Sequence, residues 1–123
     1  MSTTPRLLTH VSTIVLGVRD IAQSIAFYRE TLGLELRGQS ENLAFISIGS
    51  LTLMLNKALG DAVSPRAGAS EIVFSVTSVS STYAALHAKG CTFINQPREV
   101  TAGSWAASFR DPDGHMLTLF GPH

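Results

Sequence analysis

Phe109-Arg110-Asp111-Pro112-Asp113-Gly114-His115-Met116-Leu117-Thr118-Leu119-Phe120 decides how this 123-residue chain folds. Pro112 presets φ, the aspartates bond their own backbone, and Gly114 takes the positive φ that closes a tight turn. Apolar runs lie on both sides, so the stretch reads as a hairpin with strands over 104–109 and 116–120. At the opposite end stands Val18-x-Asp20-Ile21-x-x-Ser24-x-x-Phe27-Tyr28-x-x-x-Leu32-Gly33-Leu34. Asp20 is a helix N-cap there, Ile21, Ile25, Tyr28 and Leu32 share one face, and Gly33 closes the helix.

Between these ends the chain repeats itself. Ile14-Val15-Leu16-Gly17-Val18-Arg19-Asp20-Ile21 matches Ile72-Val73-Phe74-Ser75-Val76-Thr77-Ser78-Val79. Each run is a β-branched strand ending at a helix-start signal. Ser78 caps a second helix through Tyr83, Leu86 and Lys89, closed by Gly90. Three short strands are predicted after each helix: 35–38, 44–48 and 51–55, then 92–95, 104–109 and 116–120. The whole is a single α+β domain, 1–123, built as two tandem βαβββ modules at about 9–56 and 71–122. Residues 57–70 are rich in Ala, Gly, Ser and Pro, break both periodicities, and read as a linker. Each half alone would leave an apolar sheet face uncovered, so modules must stack, within one chain or between two.

The two end motifs, in this order, resemble the vicinal-oxygen-chelate superfamily: glyoxalase I, bleomycin-resistance proteins, fosfomycin-resistance enzymes and extradiol dioxygenases. The resemblance covers nearly the whole chain, from Thr9 to Pro122. It implies that each module curls into a partial barrel and that two modules enclose a cavity. It also implies four metal-ligand positions, one on the first and one on the last strand of each module. Counted from Val18 and Val76, and from the turn glycines Gly49 and Gly114, these are Thr13, Glu71, Leu53 and Thr118. Catalytic members carry His, Gln or Glu there. Here only Glu71 is a good ligand, and a substrate-polarising ion needs three or four converging N/O donors. No metal and no other cofactor is therefore expected.

Residues of the same strand parity, Val11, Val15, Leu51, Leu55, Val73, Ser75, Met116 and Phe120, are nearly all apolar. They would line a concave site for an organic molecule with one or two polar handles, or else fill a close-packed interior with no cavity. Trp105 either stacks on a planar ligand or caps the core. The expected ligand-binding set is thus Thr13, Leu53, Glu71, Thr118 and Trp105. The expected function is metal-free binding of a small, largely apolar molecule, as in bleomycin-resistance-type proteins. The alternative is a lyase, isomerase or dioxygenase with Glu71 as catalytic base, or with a divalent metal at another site.

Composition narrows the partners. Hydrophobic residues make up 45% and charged ones 15%, which excludes a disordered chain. Nine basic and nine acidic residues give zero net charge without a Lys/Arg cluster, so nucleic acid is not expected as a partner. The same neutrality argues against cationic bleomycin itself as ligand. No apolar run reaches the roughly 18 residues of a membrane helix, and Met1–Thr9 lacks signal-peptide features, so a cytoplasmic protein is expected. Cys91 excludes an internal disulfide and reads as a small buried apolar residue. The four histidines have no metal-site spacing; His115 would fix the turn and His87 would be solvated. Unpaired sheet edges and an apolar face predict a homodimer.

Overall fold

A computed structural model describes Leu7, residues 10–62 and residues 70–123. Two four-stranded mixed sheets carry the fold. The first orders its strands β1-β4-β3-β2, from Thr13–Gly17, Leu51–Asn56, Leu43–Ile48 and Glu35–Gln39. The second repeats that order as β5-β8-β7-β6, from Glu71–Ser75, Met116–Gly121, Ser104–Arg110 and Arg98–Thr101. In each sheet the first and last strands of the module pair in parallel, and the other pairs are antiparallel. The βαβββ repeat expected from the sequence is thus the architecture observed.

The helices form where their caps predict. Asp20 accepts from Gln23 N at 3.0 Å and opens α1, Ile21–Ile25, which continues as a π-helical stretch over Ala26–Thr31. Leu32 N bonds the Phe27 carbonyl at 3.0 Å, the i→i+5 contact of a widened turn. Ser78 accepts from Ser81 N at 3.1 Å and opens α3, Val79–Ala88.

Three expectations need correction. The segment read as a linker begins as a helix, α2, Lys57–Ala62, capped by the Asn56 side chain on Leu59 N at 3.0 Å. Its glycine hid it, yet Gly60 is what seats it: a Cβ there would lie 2.2 Å from the Val18 carbonyl oxygen. Residues 63–69 of that segment lie outside the described residues. The strand expected at 92–95 reduces to a single bridge, Phe93 to Phe109, because the Asn95 side chain takes Ser108 N at 3.1 Å in place of a ladder bond. The first of the three strands after this module's helix is instead β6, beyond Pro97; its four residues are all exposed and carry no apolar alternation. The register of β4 also differs from expectation, by one residue, which turns Leu53 toward the helices.

The core runs between helices and sheets, with Tyr28, Phe109, Ile46, Leu53, Leu55, Leu117, Val18 and Val79 fully enclosed. Phe27, Phe109, Phe93 and Tyr83 form a chain of ring contacts at 6.5, 5.0 and 4.5 Å from the first module's helix to the second's. The opening turn crosses the same junction. Asp113 accepts from Arg19 N (3.0 Å), Arg19 Nε (3.1 Å) and the buried Ser24 hydroxyl (3.2 Å). His115 donates from Nε2 to the Gly17 carbonyl at 2.8 Å, so it ties the turn to the other module as well as closing it.

Candidate functional site

Residues directly opposed across a ladder share a sheet face. In the first module Ile14, Leu16, Leu53, Leu55, Ala44 and Ile46 face the helices, leaving Thr13 with Thr52, and Val15 with Met54 and Phe45, on the open face. In the second module Leu117, Leu119, Ala107 and Phe109 face the helices. Its open face carries three rows: Glu71 with Met116 and Arg110, Val73 with Thr118 and Ser108, and Ser75 with Phe120 and Ala106.

Glu71 and Thr118 meet: the Thr118 hydroxyl donates to Glu71 Oε2. Thr118 is also 2.8 Å from the Ser108 hydroxyl. Thr118 is buried while Glu71, at the start of β5, is exposed. Thr13 takes the equivalent place in the first module, exposed, with the Ser12 hydroxyl at 3.5 Å. Leu53 lies on the opposite face, fully enclosed among the helices. Trp105 is on the helix side too, its ring 4.1 Å from that of His123. Of the five expected residues the structure therefore brings two into contact, sets Thr13 at the matching position of the other module, and turns two away.

The register explains Leu53. Val73 opposes Thr118 in the second module and Val15 opposes Met54 in the first, so Met54 is the counterpart of Thr118. Counting four residues from each turn glycine assumes equal turns. The Gly49-Ser50 turn is tighter than Asp111–His115, which is closed by Asp111 N on the His115 carbonyl at 3.1 Å. One residue of slip exchanges the two faces of a strand. Ser108 was also missed, although the hairpin register makes it the direct cross-strand neighbour of Thr118.

The open faces carry uncovered apolar residues: Val15, 41% exposed, on the first sheet, and Val73, 53%, and Phe120, 38%, on the second. A separate apolar cavity of about 290 Å³ lies on the helix side at the module junction, lined by Leu34, Ile48, Phe74, Leu86, Phe109 and Leu119 among others. The residues expected to line one cavity are thus divided: Leu51 and Leu55 face the helices, whereas Val15, Val73, Ser75, Met116 and Phe120 face outward. Burial pushes the Cys91 thiol up from its ordinary value, the opposite of an activated nucleophile.

The family-implied metal positions hold one carboxylate, two hydroxyls and, with the corrected register, a thioether. Thr118 already bonds the one carboxylate. This donor set does not fit a divalent ion that needs three or four N/O ligands. Among the described residues no group of three His, Cys, Asp or Glu side chains is placed to hold a metal ion.

A family model described as the Glyoxalase/Bleomycin resistance protein/Dioxygenase superfamily matches residues 8–119. The chain is 34% identical over 122 residues to metallothiol transferase FosB of Staphylococcus haemolyticus, covering 92% of this chain and 84% of that protein. A crystal structure of a glyoxalase-related enzyme from Fulvimarina pelagi superposes with a TM-score of 0.80 at 23% identity, covering 92% of this chain and 88% of that one. TnmS3, an antibiotic binding protein from Streptomyces sp. CB03234, does so with 0.80 at 21% identity, covering 97% and 100%. These two likenesses speak for the fold.

Proposed function

The chain belongs to the Glyoxalase/Bleomycin resistance protein/Dioxygenase superfamily, and from that premise we propose that it binds a small, largely apolar organic molecule on the open face of its sheets, without a metal. One observation carries this reading. Glu71, Thr118 and Ser108 form a hydrogen-bonded polar group on a sheet face that also exposes Val73 and Phe120. An apolar surface with a few convergent polar groups is the usual make-up of a ligand site. The antibiotic-binding neighbour lends support at the level of fold.

Assembly and compartment belong to the same proposal. The uncovered valines and Phe120 are of the kind that a second copy of the chain would cover, in a two-fold homodimer that also walls the site. Among the described residues no helix is long and apolar enough to cross a membrane. A cytoplasmic place suits the single free cysteine, and zero net charge argues against nucleic acid as partner.

A second reading rests on the 34% identity to a metallothiol transferase. In it the protein is an enzyme, with Glu71 as base or with a metal held elsewhere. Native mass spectrometry with elemental analysis of the purified protein separates the two. A co-purifying organic ligand without stoichiometric metal, with NMR shifts at Val73 and Thr118 on its return, supports binding on the open face. Stoichiometric Zn, Ni, Mn or Fe favours the enzyme, and shifts confined to Phe74 and Leu86 move the ligand to the helix-side cavity.

A further inference from the structure

The direction of the hydrogen bonds around Thr118 restricts what the site can accept. A threonine hydroxyl has one proton. Thr118 spends it on Glu71 Oε2. The 2.8 Å contact with Ser108 must then run the other way, the Ser108 hydroxyl donating to Thr118 Oγ1. Both hydroxyl protons point along the line Ser108 to Thr118 to Glu71 and neither is left for a ligand. What the line presents outward is lone pairs: the second Glu71 oxygen, which takes no bond from the described residues, and those of Ser108.

From this polarity we infer that the site selects among apolar molecules by the polar group they bear: it takes a skeleton carrying a hydrogen-bond donor, an ammonium above all, and rejects the same skeleton carrying a carboxylate. A carboxylate laid on Val73 and Phe120 would meet like charge at Glu71 and find no donor along this row. An ammonium would form a charge-assisted bond to Glu71. The cations of this face stand apart. Arg110 shares the Glu71 row but lies two strands away, about 10 Å, and its guanidinium donates to the Gly114 carbonyl at 2.9 Å. Arg98 is on the far strand, opposite Ala106.

The inference rests on the ligand-binding reading above, and three probes of one shape keep the two apart. The full chain is titrated, by calorimetry and ligand-observed NMR, with 1-methylnaphthalene, 1-naphthylmethylammonium and 1-naphthoate. The expected order puts the ammonium about tenfold or more tighter than the carboxylate, with the hydrocarbon between them. Glu71→Gln should erase that advantage, since its amide can also donate. Thr118→Val is the sharper variant: it deprives the Ser108 hydroxyl of its acceptor, frees its proton for a ligand, and should raise carboxylate affinity while Glu71 remains. Carboxylate binding as tight as ammonium binding in the unaltered protein, with the hydrocarbon still bound, would overturn the polarity argument and leave an apolar site. Thr118→Val without effect on the carboxylate would equally overturn the hydroxyl relay. Failure of all three probes would remove the binding reading itself, and the selectivity with it.

Discussion

The Tyr28 hydroxyl donates to Asp111 Oδ2 at 2.7 Å, joining two buried side chains that are 83 positions apart and belong to different modules. Asp111 uses its other oxygen on Asp113 N (3.0 Å) and His115 N (2.8 Å), so one carboxylate shapes the turn and anchors it to the first module's helix. With Asp113 on Arg19 and Ser24, the turn becomes the polar seam of the domain. Every member of this seam is paired, and no buried side-chain polar atom among the described residues lacks a partner.

Tyr28→Phe should therefore cost more than a surface hydroxyl would. It leaves a buried carboxylate oxygen without its donor, a loss of about 1.5–3 kcal/mol for a bond to a charged group. Urea unfolding should show a lower midpoint at unchanged slope. A midpoint within error of the parent protein would mean that the seam does not hold the modules together.

The same phenol gives a pH dependence. Burial first, and then the Asp111 carboxylate beside it, raise the Tyr28 pKa above the usual value of 10.0. The folded state thus retains a proton that the unfolded chain releases. Its stabilising effect is complete below about pH 10 and is lost as pH climbs further, by up to about 1.4 kcal/mol per unit. Every other side chain is common to the two proteins, so the difference between parent and Tyr28→Phe isolates the effect. That difference should narrow between pH 10 and 11.5 in urea titrations, and a constant gap would contradict the assigned burial.

Adjacent residues of β4 should behave in opposite ways. Leu53→Ala empties a fully enclosed position in the core and should cost about 2–5 kcal/mol in thermal or urea unfolding. Met54→Trp, on the open face of the first sheet, should change stability by only about 0.5 kcal/mol. If Met54→Trp unfolded the protein and Leu53→Trp left its stability intact, the faces of this strand would be reversed.

Gly60→Ala tests the helix that follows β4. Its added methyl would fall 2.2 Å from the Val18 carbonyl oxygen and 2.6 Å from Val18 N, all backbone atoms that cannot turn aside. A loss of about 1–3 kcal/mol is expected. Gly38→Ala is the control, because a Cβ there meets nothing within 4 Å. Equal melting temperatures for the two variants would show that α2 does not sit on Val18.

The sequence by itself determined the features that a few neighbouring residues can specify. Ile14–Gly17 and Ile72–Ser75 are strands from their own β-branching, Asp20 and Ser78 start helices through bonds three residues on, and Asp-Pro-Asp-Gly turns wherever it stands. Two such sets in order were enough for the repeat, the fold and the family. Only the tertiary structure decided what depends on partners far along the chain. The polar strand Arg98–Thr101 exists because β7 offers it a ladder, and α2 exists because Gly60 fits against Val18. Met54 rather than Leu53 faces outward because turns of unequal length shift the register by one residue, and a period of two makes that single step a change of face. The site follows the same rule. Glu71 and Thr118 were visible as candidates, but that a hydroxyl line joins them to Ser108, and which way its protons run, arises only when three strands lie side by side.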